Sequence, residues 1–148
     1  MTDPHATYKT GLKTRTTIEQ EKGEMIIMAP KKDFVALYTK EIPWEDDARM
    51  DLPKGVKMKI LFEDPELGRQ DALVKFPPGY TEPLHTHASS HSICVLEGKM
   101  CVAGKELGPG DYVFGWDQEH GPYHYPDGCT VFVAFMGKGI SHKYDKNG

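Results

Sequence analysis

The 148-residue chain has the length of one domain, and 22 acidic against 18 basic side chains give a net charge of −4, with no excess of Lys and Arg to release counterions from a phosphate backbone or bind anionic lipid. Nucleic acid and membrane surfaces are therefore excluded as expected partners. Fifteen Gly and eleven Pro favour many tight turns over long helices, an all-β composition.

Residues 1–31 read as an N-terminal arm, because the Thr-, Lys- and Glu-rich stretch from Met1 to Glu24 shows neither a period of 2 nor one of 3.6. A helical pattern around Thr17 to Glu24 is the only one in the chain. One domain over 32–140 and a tail over 141–148 follow. Short apolar segments then recur between turn signals: Met25 to Met28, Phe34 to Tyr38, Val56 to Phe62, Ala72 to Phe76, Ser92 to Leu96, Met100 to Ala103, Tyr112 to Phe114 and Cys129 to Met136. Eight such segments are the signature of a sandwich or barrel. The punctuation includes Phe76-Pro-Pro-Gly79, Leu96-Glu-Gly-Lys99, Gly108-Pro-Gly-Asp111 and Tyr125-Pro-Asp-Gly128, each able to fix φ or permit positive φ. Asp111 is expected to cap its own turn.

The longest apolar runs, such as Val131 to Met136, are too short to span a bilayer, and the N-terminus is polar and charged where a secretory signal would be apolar. A cytoplasmic location is expected. Cys94, Cys101 and Cys129 form no Cys-x-x-Cys pair and read as small apolar residues rather than a disulfide or zinc-thiolate framework.

Five of the seven histidines lie between positions 85 and 124. In an extended strand side chains alternate, so His85 and His87 project from one face and Thr86 from the other, and a four-residue step brings His91 to the same parity. Ile93 and Val95 then line the interior. A bare His-x-His pair on a strand serves structural roles as readily as metal binding, and its surroundings decide between them.

Those surroundings are specific. Gly79-Tyr-Thr-Glu-Pro-Leu-His85-Thr-His87-Ala-Ser-Ser-His91-Ser-Ile-Cys-Val-Leu-Glu-Gly98 resembles the first motif of the cupin superfamily, Gly-x5-His-x-His-x3,4-Glu-x6-Gly, with His91 standing where the family usually has Glu. Gly108-Pro-Gly-Asp-Tyr-Val113 followed by His120 resembles the second motif. The resemblance spans roughly Phe34 to Gly137 and implies a cupin jelly-roll β-barrel, RmlC-like in type. Glu119-His-Gly-Pro-Tyr123 and Gly128-Cys-Thr-Val-Phe-Val133 are similar to the subgroup holding the cupin domain of zinc-dependent anti-sigma factors and small dioxygenases that act on acetylacetone-like diketones or dihydroxyacetophenone.

That resemblance implies one divalent transition metal per chain on His85, His87 and His120, with His124 the rival of His120. His91 is either a fourth ligand or a donor that orients substrate. Glu119 is a candidate acid or base, or an additional ligand. Imidazole-rich sites suit Fe, Ni, Cu and Zn. Iron is the expectation for catalysis, with zinc or nickel as alternatives. Neutral imidazoles leave the ion's double charge uncancelled, so an anionic chelating small molecule, an enolate of a β-diketone or a deprotonated hydroxyketone, is the expected substrate, with O₂ as co-substrate. The implied activity is that of a non-haem Fe(II) dioxygenase. The alternatives are a non-catalytic zinc sensor or structural module, and a metal-dependent lyase, isomerase or cyclase. Phe76, Phe114, Trp116, Tyr123, Phe132 and Met136 are candidate pocket walls, and Tyr112 and Tyr125 candidates for its mouth. The segment Thr130 to Met136, apolar on both faces, gives the expectation of a homodimer.

Overall fold

The computed structural model describes residues 18–21, 24–27, 34–46, 54–137 and 143–144. The chain divides into two compact units, Met1–Val35 and Ala36–Gly148. In the first, β1 (Ile18–Glu21) and β2 (Glu24–Ile27) pair antiparallel, with Ile18 opposite Ile27. The helix expected around Thr17 to Glu24 is thus replaced over its described residues by strand, because the β2 backbone offers a ladder that satisfies the same amide groups.

The second unit is built on two antiparallel sheets. The larger runs β11 (Tyr112–Gly115), β8 (Ser89–Gly98), β13 (Cys129–Gly137), β5 (Arg69–Phe76), β4 (Lys57–Asp64) and β3 (Glu45–Asp46). The smaller runs β10 (Lys105–Leu107), β9 (Met100–Val102), β12 (Tyr123–Tyr125) and β6 (Tyr80–Glu82). A two-stranded pair joins β7 (His85–Thr86) to β14 (Lys143–Tyr144). The architecture is the all-β jelly roll expected. Among the described residues the sole helical element is a 3₁₀ turn at Thr39–Glu41, and no helix is long and apolar enough to cross a membrane.

Side-chain alternation decides what each strand buries. In β8, Ser89, His91, Ile93 and Val95 point inward, while Ser90, Ser92 and Cys94 are only half-buried on the other face. Cys129, Val131, Val133 and Phe135 of β13 and Gln70, Ala72, Val74 and Phe76 of β5 do the same. The smaller sheet contributes Met100, Tyr123 and Tyr125, and one apolar cluster joins both inner faces. Phe76 lies flat on Tyr125, with ring centroids 4.0 Å apart and 5° between the planes. At Gly98 (φ +76°) a side chain would run into the carbonyl oxygen of Gly128, so only glycine lets the β8 end and the β13 start approach this closely.

Phe34 to Tyr38, expected as a strand, pairs with nothing among the described residues; Phe34 is 96 % exposed and Tyr38 80 %. Its apolar residues find no ladder partner before the 3₁₀ turn begins. Conversely β6, β7, β10 and β12, two or three residues each, are too short to leave an alternation in the sequence. Asp111 does cap its turn, its carboxylate accepting the Gly108 amide at 2.8 Å. Cys129 is buried, whereas Cys94 and Cys101 are half-buried.

Candidate metal centre

The strand pair that carries the histidines is locked through main-chain atoms. The amide of His85 donates to the His120 carbonyl at 3.1 Å and the amide of His120 donates back to His85 at 3.0 Å, an antiparallel bridge between β7 and the segment before β12. The bridge sets the two imidazoles 4.4 Å apart, centroid to centroid. His87 follows on the same face, as the period-2 argument expects, with its ring 5.7 Å from His85 and 4.9 Å from His120. One nitrogen from each of His85, His87 and His120 falls within 4.8 Å of the others, so these three could hold a metal ion. His91, at the start of the long β8, brings its ring 4.9 Å from His87 and 4.8 Å from His120 and stands beside that group of three.

Hydrogen bonds fix which nitrogen each ring presents. A carbonyl oxygen can only accept, so Nδ1–H of His85 donates to Pro83 at 2.9 Å and Nδ1–H of His120 to Gln118 at 2.6 Å. In that tautomer it is Nε2 of each ring that carries the lone pair. The Ser89 hydroxyl bonds Nδ1 of His87 at 3.0 Å. Nε2 of His120 and Nδ1 of His91 are buried and hydrogen-bond to nothing among the described residues. A buried polar atom without a partner destabilises the fold by about 1–3 kcal/mol, and a cation would satisfy such nitrogens. The donor set therefore fits a divalent transition ion.

His85, His87 and His91 are 2–3 % exposed. Burial, above all, pushes the His85 imidazole down to about 4, with the neighbouring His120 and His87 adding to the effect against the Pro83 hydrogen bond. Burial likewise brings His87 to about 4 and, reinforced by three imidazole neighbours, His91 to about 3. All three rings are neutral at pH 7 and need shed no proton to coordinate an ion.

A small cavity of about 30 Å³ lies against the cluster. Its apolar walls are Val74, Phe76, Ile93, Val131, Val133 and Phe135, and its polar side is His85, His87, His91, Glu82 and Tyr125. The polar groups thus converge on one side of an otherwise apolar recess. Phe135 packs edge-on to His87, with ring centroids 5.7 Å apart. Gly115, opposite His91 in the β11–β8 register, leaves room for that ring: a Cβ there would sit 2.6 Å from its Cε1.

Several expectations are revised by which way the strands face. Tyr125 lies deep inside, 1 % exposed, and Tyr112 is exposed and donates to Ser92 at 2.9 Å. Phe114, Trp116 and Met136 are exposed and Phe132 half-buried, because the alternation of β11 and β13 turns Val113, Gly115, Val133 and Phe135 inward instead. Glu119 is exposed and does not line the cavity. His124 projects from the outer face of β12, its Nδ1 3.0 Å from the Thr81 hydroxyl, and His120 takes the inner place. The lining is also not purely imidazole. Glu82, 4 % exposed, places Oε1 3.5 Å from Nε2 of His85 and accepts the Tyr125 hydroxyl on Oε2 at 3.3 Å. The Tyr-Thr-Glu alternation of β6 was the available signal for it, but Pro83 breaks the parity that would have tied Glu82 to His85.

Comparison with known proteins agrees with this fold. The model of the ChrR cupin-like domain matches residues 32–137. A candidate acetylacetone dioxygenase from Methylibium petroleiphilum PM1 superposes with a TM-score of 0.68 at 19 % identity, over 82 % of this chain and 87 % of that one. An acetylacetone dioxygenase from Acinetobacter johnsonii gives 0.59, also at 19 % identity, over 78 % and 87 %. At that identity the likeness shows the cupin fold. The DNA damage-repair/toleration protein DRT102 of Arabidopsis thaliana is 32 % identical over 94 residues, which are 60 % of this chain and 29 % of that protein, so the chain spans under a third of the length of this curated relative.

Proposed function

The chain belongs to the ChrR cupin-like domain family, and on that premise we propose that it is a metal-dependent dioxygenase that cleaves a small β-diketone-like or hydroxyketone substrate bound as its enolate. The observation that carries the reading is the convergence of the His85, His87 and His120 nitrogens within 4.8 Å, with His85 and His87 on the polar side of an otherwise apolar cavity. A divalent iron held there supplies positive charge that favours the enolate and redox chemistry with O₂. His85, His87 and His120 hold the ion in this reading, and Pro83 and Gln118 aim two of them. His91 is the residue that orients substrate: its buried Nδ1 has no hydrogen-bond partner among the described residues and is available to a substrate oxygen or proton. Val131, Val133 and Phe135 exclude water and pack the substrate's alkyl or aryl ends. The protein acts as a cytoplasmic homodimer in this reading.

The structures of acetylacetone dioxygenases among its neighbours support the choice of substrate class by analogy of fold. An anaerobic metal inventory followed by an oxygen electrode run on the Fe(II) form with a panel of β-diketones tests it. Oxygen consumption with at least one diketone, absent from the metal-free protein, is the expected outcome; no uptake with any would overturn it. A second reading, a zinc site saturated by four imidazoles, draws on the nearness of the His91 ring to His87 and His120. Zinc bound tightly enough to resist exchange for iron, with no oxygen consumed, would establish that one.

A further inference from the structure

We propose that residues 34–38 of one copy of this chain pair with the edge strand β11 of a second copy, and reciprocally, so that each copy extends the other's larger sheet. The inference rests on the homodimer of the proposed reading and gives it a contact surface. Among the described residues the two main sheets have four edge strands, and three of these carry features that discourage further pairing. β3 is two acidic residues long, β10 begins Lys105-Glu106, and β6 ends on Glu82 with Pro83 behind it. β11, Tyr112-Val-Phe-Gly115, holds neither a charge nor a proline. Its outward side chains and the neighbouring Trp116 form an apolar patch: Tyr112 is 60 % and Trp116 63 % exposed, and Phe114 meets Trp116 at 4.8 Å.

The complementary piece lies in the same sequence. Residues 34–38, Phe-Val-Ala-Leu-Tyr, are mostly strand-forming types, and Phe34, Val35, Leu37 and Tyr38 are exposed. The Tyr38 backbone is extended, with φ −86° and ψ 100°. This segment cannot serve the β11 of its own chain. Lys59 of β4 donates to the Thr39 carbonyl at 2.9 Å, and β4 lies four strand spacings, about 19 Å, from β11. Tyr38, one residue from Thr39, is thereby held away from that edge, and only a second copy can bring such a segment to it. Charge favours the same pairing: residues 31–40 hold three Lys and one Asp, whereas residues 111–119 hold three acidic residues and no basic one. Antiparallel alignment brings Lys31 and Lys32 toward Asp117 and Glu119, and Lys40 toward Asp111. Pairing β11 with the β11 of a second copy would instead set acidic flanks against each other. The added strand also backs Gly115, beside the His91 ring.

Sedimentation equilibrium and amide hydrogen exchange of the full-length chain over a range of concentrations test the interface. A dimer is expected, with amides of residues 34–38 and 112–115 protected together and released together on dilution. Alternate amides of a strand face one neighbour, so either Ala36→Pro or Leu37→Pro removes a donor from the new ladder. That variant is expected to raise the dimer dissociation constant at least about tenfold. Lys31→Glu combined with Lys32→Glu is expected to raise it too, and adding Asp117→Lys and Glu119→Lys to restore it, which a folding defect would not do. A dimer whose constant is unchanged in both proline variants, or whose residues 34–38 exchange like an open chain, would overturn this interface and leave a homodimer by another face. A monomer at every concentration would overturn the homodimer as well, while oxygen uptake decides the dioxygenase reading independently.

Discussion

The inner and outer faces of the smaller sheet carry similar chemistry to opposite ends. One row across its strands sets Thr81, His124, Cys101 and Glu106 side by side on the outside, where the His124 ring meets the Thr81 hydroxyl. One residue away along the same strands, Glu82, Tyr123 and Tyr125 face the barrel interior, and there burial and neighbouring charge raise both phenols well above their ordinary value. The residue types hardly differ. What differs is water: outside it screens each group, inside each must be answered by another protein group or by a ligand.

Replacing histidines on either side of this boundary sharpens the contrast. His120→Ala, which removes an inner nitrogen within reach of two others, is expected to weaken Co(II) or Zn(II) binding by about 100-fold or more, read by competition with a chromogenic chelator. Truncating the wall beside the cluster comes next. Phe135 is 3 % exposed, and Phe135→Ala is expected to destabilise the fold by about 3–5 kcal/mol in urea denaturation.

Acid should reveal the same boundary in the metal-free protein. His85, His87 and His91 have folded-state values of about 4, 4 and 3, below the unfolded value of about 6.5. Between those limits the unfolded chain binds more protons, so stability is complete above pH 6.5 and falls as the pH drops toward 4. Thermal melts across that range are expected to show a steadily lower midpoint, and a midpoint independent of pH would break the argument. Gly115→Ala, which sets a methyl group against the His91 ring, is expected to cost about 1–3 kcal/mol and to leave one metal per chain. The smallest effect belongs to the outer face: His124→Ala is expected to change stability by under about 0.5 kcal/mol and metal affinity not at all.

How much of this was legible in the sequence depended on the length of each strand. The barrel class and the long strands β5, β8 and β13 follow from short apolar segments set between turn signals, and the shared face of His85 and His87 from alternation. His120 required the family motif, because it sits outside any long strand and is held by a two-residue bridge. Glu82 stayed hidden because Pro83 interrupts the count, and Gly115 because its significance is what it lacks opposite His91. Phe114 and Trp116 misled because aromatic character does not say which way an edge strand faces; the two rings meet each other outside the barrel at 4.8 Å.

The reciprocal main-chain bridge between His85 and His120 has a consequence for how such a protein can change. Its atoms are common to every residue type but proline, so no replacement of a wall side chain removes a hydrogen bond from it. Val131, Val133 and Phe135 can then be exchanged to reshape what the cavity admits while two of the nitrogens stay in register. Specificity and the ion's seat are written in separable parts of the chain, one in side chains and the other in backbone.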